Sequence, residues 1–402
     1  MRFSGFDDEW KSFKLSEISK RITRKNKSLE TDRPLTISAQ YGLVDQIEYF
    51  NKIVASKSLK GYYLLNKGEF AYNKSYSNGY PFGAVKRLDD YENGAISTLY
   101  ICFNTNDKMN SDLLKEYFET DKWHEEIYKI AVEGARNHGL LNVAVGDFFN
   151  TKHVLPTNNH EQEKIAKFLI EINTKIDLLE NKHKAYQDFK KYLMQKIFAQ
   201  ELRFNFNDTW KTVKIKDIFD ERSEKGFLDL ELLSVTLNDG VIKRSEIESK
   251  DNSNENKFNY KHVLPGDIVY NSMRMWQGAS GVSPYEGIVS PAYTILIPKN
   301  VYSKYFGYYF KTNEMVYQFK KYSQGLTSDT WNLKYPLISE IKIKIPSIEE
   351  QKEITNVFEI MDEKIKILQN NIDELTTFKK GLLQQMFVVQ LILSLLQNKK
   401  HI

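Results

Sequence analysis

Two stretches of the chain place apolar residues at alternating steps of three and four, and both do so in one register. In the first, Ile165, Leu169, Ile172, Ile176, Leu179, Tyr186, Leu193 and Ile197 form a stripe that His183 and Lys190 continue as polar members. Counting 189 residues onward gives Ile354, Phe358, Met361, Ile365, Leu368, Ile372, Leu375, Lys379, Leu382 and Met386. A 3-4 repeat over four or more heptads keeps one stripe facing a partner helix, so both stretches are predicted as long coiled-coil helices. Glu161 to Ala199 alone is 39 residues, or about 58 Å at the helical rise. Both helices open on a capping-box pattern, Asn158-Asn-His-Glu161 and the stricter Ser347-Ile-Glu-Glu350.

Outside the helices the pattern is that of mixed α/β modules richer in strand, and it is also written twice. Asp8-Glu-Trp-Lys-Ser-Phe-Lys-Leu-Ser-Glu-Ile18 returns as Asp208-Thr-Trp-Lys-Thr-Val-Lys-Ile-Lys-Asp-Ile218, and Gly68-Glu-Phe-Ala-Tyr-Asn73 as Gly266-Asp-Ile-Val-Tyr-Asn271. The separation falls from 200 to 198 to 189 along the chain while the order is kept, which means two homologous halves that differ by small loop deletions. Runs such as 96–103, 288–297 and 341–345 have strand composition, and helical stretches are expected near 113–131 and 304–322. The second module begins at once after the first helix and ends where the second helix starts. A compact module has its ends close together, so the helices are expected to be antiparallel.

The expected fold is therefore α+β and pseudo-two-fold. It has a first module (1–156), a central helical spacer (157–203), a second module (204–346), a C-terminal helical spacer (347–390) and a tail (391–402) to which no role falls.

The 402 residues carry 57 basic and 53 acidic side chains for a net charge of +4, so a nucleic-acid footprint must come from the placement of charge and not from its sum. The single cysteine, Cys102, excludes a disulfide framework and points to a reducing, cytoplasmic setting. No secretory signal is expected, and the apolar stretch 387–396 is too short for a membrane span. The phosphate loop, the Gly-x-Gly-x-x-Gly turn and the Asn-Pro-Pro-Tyr/Phe methyltransferase signature are all missing, and the seven histidines lack metal-ligand spacing. No catalytic residue and no metal site is assigned.

What repeats instead is a polar set on a shared scaffold. Gln40 pairs with Asn238 just before Gly42 and Gly240, and Tyr72-Asn73-Lys74 pairs with Tyr270-Asn271-Ser272, after which come Arg274 and Gln277. Late in each module lies a glycine-marked loop, with Arg136, Asn137 and His138 in one and Ser328 and Asp329 in the other. Equal geometry with unlike polar side chains implies two sites of different specificity, and these residue types hydrogen-bond base edges and phosphates. The DNA-contact candidates are Gln40, Lys74, Arg136, Asn137, His138, Asn238, Arg274, Gln277, Ser328 and Asp329. The spacer and subunit-interface candidates are Ile165, Ile172, Ile176, Leu179, Leu193, Ile354, Met361, Ile365, Leu368 and Leu382.

The helix ends carry a resemblance. Leu155-Pro156 with Glu161-Gln-Glu-Lys-Ile165, Phe189-Lys-Lys-Tyr-Leu-Met-Gln-Lys-Ile-Phe198, and their second copies Ile345-Pro-Ser-Ile-Glu-Glu-Gln-Lys-Glu-Ile354 and Phe378-Lys-Lys-Gly-Leu-Leu-Gln-Gln-Met-Phe387 resemble the specificity subunit of type I restriction-modification systems. The resemblance implies that each module is a target-recognition domain for one half of a split double-stranded DNA sequence. It implies that the helices hold the modules apart and bind two methyltransferase subunits, with restriction-translocase subunits completing the complex. S-adenosylmethionine, ATP and Mg would then sit on those partners and none on this chain. The tail after Phe387 departs from the family pattern. Two other readings are a coiled-coil adaptor for protein and a methyltransferase or nuclease acting alone; duplex binding and S-adenosylmethionine binding separate them.

Overall fold

In the protein, seen in a computed structural model, residues 2–52, 55–56, 58–76, 79–131, 141–237, 239–248, 253, 256–327 and 330–398 are described, with side chains as far as 387. The chain divides into two compact units, 1–180 with 370–402, and 181–369. Residues 159–180 and 370–398 of the two long helices fall in the first unit, and 181–198 and 348–369 in the second.

Both units are assembled from the same parts. A short strand pair joins the beginning of each module to its end: Lys11–Lys14 runs antiparallel to Lys152–Leu155, and Lys211–Lys214 to Lys342–Ile345. A four-stranded antiparallel sheet follows, in the order Ser19–Ile22, Ile101–Thr105, Phe70–Asn73, Ala84–Arg87 in the first unit. The second unit repeats it as Phe219–Glu221, Tyr293–Pro298, Ile268–Asn271, Ser280–Val282. Beside it lie the hairpins Pro34–Ser38/Gly42–Asp45 and Leu233–Thr236/Gly240–Lys243, each turning through a glycine at positive φ, Gly42 (82°) and Gly240 (68°).

The runs expected as single strands at 96–103 and 288–297 are broken at corresponding points. Asn93–Ile96 belongs to one sheet and Ile101–Thr105 to another, across a turn closed by Tyr100 N–H donating to the Ser97 carbonyl (3.2 Å). Gly287–Val289 and Tyr293–Pro298 part at Pro291, whose ring cannot donate to a ladder. The chain uses the break to turn a corner between sheets. The helical stretches are likewise split, into Ser111–Tyr117 and His124–Ile130, and into Ser303–Tyr309 and Asn313–Tyr322, where the Thr312 hydroxyl caps the later helix by accepting from Met315 N–H (3.3 Å).

The long helices span Asn159–Phe198 (40 residues) and Ile348–Asn398 (51 residues). The second runs beyond the expected boundary at 390, because 388–398 holds neither glycine nor proline to stop it. All twenty seam positions are buried or half-buried, whereas Leu178 and Ile367, off the seam, are 64% and 50% exposed. The antiparallel course is visible inside each unit. In the first, Ile165 and Leu169 share a core with Leu383, Met386 and Phe387; in the second, Phe198 stacks on Phe358 at 5.9 Å. Phe387 packs edge-on to Trp10 (5.8 Å) and Tyr117 (5.4 Å), and its counterpart Phe198 packs on Tyr305 and Tyr309.

The helix N-termini correct the capping-box expectation. Asn158 and Ser347 do cap, accepting from Glu161 N–H and Glu350 N–H, each at 3.3 Å. The glutamates do not reach back. Glu161 instead accepts from Arg2 Nε (2.6 Å), Arg2 Nη2 (2.8 Å) and Trp10 Nε1 (3.2 Å), and Glu350 from Arg203 Nε (3.0 Å), Arg203 Nη2 (2.7 Å) and Trp210 Nε1 (3.3 Å). Both carboxylates are buried, and a buried carboxylate needs the cation and the indole more than it needs a backbone N–H. The next residue also repeats: Gln162 and Gln351 donate to the Pro156 and Pro346 carbonyls and accept from Asn110 N–H and Tyr302 N–H. These clamps fasten each module to the start of a helix.

Candidate nucleic-acid interface

In each unit the central strand of the four-stranded sheet ends at an asparagine that turns the chain outward. Asn73 Oδ1 accepts from Ser75 N–H, and Asn271 Oδ1 from Met273 N–H, both at 3.0 Å. The residue after each asparagine then holds the exit of the late loop: Leu141 N–H donates to the Lys74 carbonyl (2.9 Å), and Leu333 N–H to that of Ser272 (2.8 Å). The strand end and the loop, some seventy and sixty residues apart in sequence, therefore meet at one place in each module. In the first unit Gly83 lets the chain pass there, since a Cβ at that position would lie 2.0 Å from the Asn73 carbonyl oxygen.

The side chains at this shared place differ. Lys74 is half-buried with its ammonium 3.5 Å from the Val143 carbonyl. Its counterpart Ser272 is buried and hydrogen-bonded to Thr294 (2.8 Å), so it is a structural residue. Two residues further, Arg274 is exposed and makes no side-chain hydrogen bond or ion pair among the described residues. It lines a groove of about 960 Å³ with Asn271, Asn259, Thr236, Ser290 and Tyr293. The position equivalent to Arg274 in the first unit is Tyr76, 60% exposed, which sequence reasoning missed although the 198-residue offset pointed to it. Gln277 is exposed on the turn Met275–Gln277. Beside it Trp276 meets Trp331 edge-on at 5.2 Å, and Lys320 lies 5.5 Å from the Trp331 ring.

Gln40 is exposed at its hairpin tip but lines a different groove, with Lys86, Asp89 and Glu119 among its walls. Arg136, Asn137, His138, Asn238, Ser328 and Asp329 lie outside the described residues. Many other cations near the modules are already neutralised, as Lys86 is by Glu119 (2.7 Å), Arg87 by Asp89 (2.6 Å) and Arg222 by Asp267 (2.7 Å). An unpaired exposed arginine stands out against them as a group able to take a phosphate or a guanine edge.

The buried polar groups elsewhere are structural. His153 sits between Tyr117 Oη (3.0 Å) and Thr151 Oγ1 (2.8 Å), and burial pushes its pKa down to about 4. Burial likewise raises the Cys102 thiol to about 12, which leaves it unreactive. No cluster of three or more His, Cys, Asp or Glu residues able to hold a metal occurs among the described residues, and no described helix is long and apolar enough to cross a membrane.

Residues 207–377 match the family model for the type I restriction modification DNA specificity domain. Across 94% of its length the chain is 23% identical to the type I restriction enzyme MjaVIII specificity subunit of Methanocaldococcus jannaschii, covering 91% of that protein. Its fold is similar to that of the type I restriction-modification S subunit from M. genitalium (TM-score 0.57, 15% identity, 96% and 98% of the two chains). It is also similar to the HsdS subunit from Thermoanaerobacter tengcongensis (TM-score 0.50, 14% identity, 96% and 98%).

Proposed function

Because this chain belongs to the specificity-subunit family of type I restriction-modification systems, we propose that its two modules read the two unlike halves of one asymmetric, interrupted DNA sequence. The observation that carries this reading is the duplicated anchor with different tips: one strand end and one loop exit, held by the same hydrogen bonds, present Lys74 and Tyr76 in one unit and Arg274 in the other. A common scaffold gives a common approach to the duplex, and unlike side chains on it select unlike bases.

On this reading the chain has no catalytic group of its own. The helix pair is the platform for two methyltransferase subunits, with the restriction-translocase subunits joining the complex in the cytoplasm. S-adenosylmethionine, ATP and Mg belong to those partners. The half-filled middle of the seam, where Ile176, Leu179 and Ile365 are only half-buried, supports a docking role for the helices. Half-sites read from one side of the duplex are expected about 10 to 11 base pairs apart, centre to centre. Methylation profiling of a genome that carries this chain and its partners tests the proposal: an asymmetric, gapped motif is expected, and a continuous or palindromic one overturns it.

A further inference from the structure

Lys190 and Lys379 occupy equivalent seam positions, and each closes a three-residue polar cluster where a short module helix meets the long helices. In the first unit Glu116, on Ser111–Tyr117, is almost wholly buried. It accepts from Asn173 Nδ2 at 2.7 Å, and its other oxygen lies 3.0 Å from Lys379 Nζ. In the second unit Lys190 pairs with Asp362, whose other oxygen accepts from Tyr308 Oη at 2.7 Å, and the ammonium lies 5.0 Å from the Tyr308 ring.

The clusters correspond residue for residue. The module helices Ser111–Tyr117 and Ser303–Tyr309 align Glu116 with Tyr308, and the heptad register aligns Asn173 with Asp362 and Lys190 with Lys379. The geometry is shared while the carboxylate has changed sides. In the first unit the module supplies the acid and the helix an amide; in the second the helix supplies the acid and the module a phenol. Either way one lysine meets one acid. Of the neighbouring charges, Lys86, Arg87 and Lys115 pair with Glu119 and Asp89 in the first unit, and Lys304 with Glu359 in the second, where Lys311 also lies close enough to feel Lys190 and Asp362 but donates to the Leu237 carbonyl (3.2 Å) and has a second acid, Asp239, near it.

We propose that these clusters match each module to its own half of the helix pair. A module helix carrying Glu116 set against Asp362 would bring two carboxylates to one lysine. One carrying Tyr308 set against Asn173 would leave Lys379 with no acid. Either mismatch leaves an uncompensated charge at the junction, which costs far more than a matched pair gains. The two modules are therefore not interchangeable despite their common sheets. A module fits a given half only if its residue at this position complements the helix residue in charge.

The test is a pair of double-mutant cycles in the full chain, followed by thermal unfolding. Glu116→Gln removes the acid, Asn173→Asp adds a second, and the double substitution moves it from module to helix without a change in size. Each single substitution should lower the midpoint by about 4–8 °C, and the double should return to within about 2 °C of the parent. Asp362→Asn and Tyr308→Glu form the same cycle at a site where the aspartate side chain is 45% exposed, so it remains measurable if a first-unit variant fails to fold. Recovery in the doubles supports the proposal. Doubles that lose the sum of their singles overturn it, as do singles without effect.

Discussion

Replacing Glu161 with alanine dismantles one clamp and leaves its twin as an internal control. Three donors lose their acceptor. The Trp10 indole N–H, on a residue only 6% exposed, is left unsatisfied at about 1–3 kcal/mol. The Arg2 guanidinium, whose side chain is 21% exposed, can turn to water, so its loss is smaller, about 1 kcal/mol. With the space left by the carboxylate the total is about 3–4 kcal/mol, which for a unit of this size lowers its melting point by roughly 6–16 °C. Glu350→Ala should cost the second unit a similar amount, because its three bonds and its burial match. Glu161→Gln keeps an acceptor for Trp10 and should lose about half as much. Scanning calorimetry with protease mapping of the released segments is the assay. A change below about 2 °C for either alanine variant, or cleavage that begins in the unit left intact, would refute the reasoning.

Three further outcomes are expected. Ile176→Asp or Ile365→Asp sets a charge in the half-buried seam and should cost several kcal/mol, read as lost co-purification with the proposed methyltransferase partners; wild-type assembly and methylation by both variants would remove the seam assignment. Arg274→Ala breaks no bond among the described residues, so stability should stay within about 0.5 kcal/mol, while discrimination at one half-site weakens by about 1–3 kcal/mol; binding to duplexes altered one half at a time decides it, and unchanged discrimination in both halves would count against the residue. Because the His153 pKa is held at about 4 and an unfolded histidine titrates near 6.5, the unfolded state binds more protons between those values. Stability is then full above about 6.5 and falls by up to about 3 kcal/mol as pH drops toward 4, and His153→Gln should show a shallower slope in urea titrations over that window; an equal slope would exclude His153 as the cause.

The duplication, the long helices and their shared register were legible in the sequence because a heptad stripe and a fixed offset are local, periodic signals. The corners at 97–100 and 290–292 were not, since an apolar run looks the same whether it stays in one sheet or crosses between two. Glu161 and Glu350 were read as capping residues for a similar reason: Ser-x-x-Glu is a local pattern, whereas Arg2, Arg203 and the two tryptophans reach them only through the fold. At the candidate interface the offset paired Lys74 with Ser272, yet Thr294, the hydrogen-bond partner of Ser272, stands 22 residues further along the chain. Tyr76 escaped notice because its exposure, and not its residue type, makes it a match for Arg274.

The strand pairs that join the ends of each module have a mechanical consequence. Lys11 stands opposite Leu155, and Lys211 opposite Ile345, so the incoming and outgoing chains leave each pair from the same end. Tension that separates them opens the ladder like a zipper, one hydrogen bond at a time, and does not load all the bonds together in shear. Such a joint is weak at its mouth. Trp10 and Trp210 stand just before the mouth on the incoming chain, Glu161 and Glu350 follow it in the first turn of the outgoing helices, and Arg2 and Arg203 brace the same carboxylates. The clamp is thus the catch at the open end of the zipper, and forced unfolding of either module begins with its release.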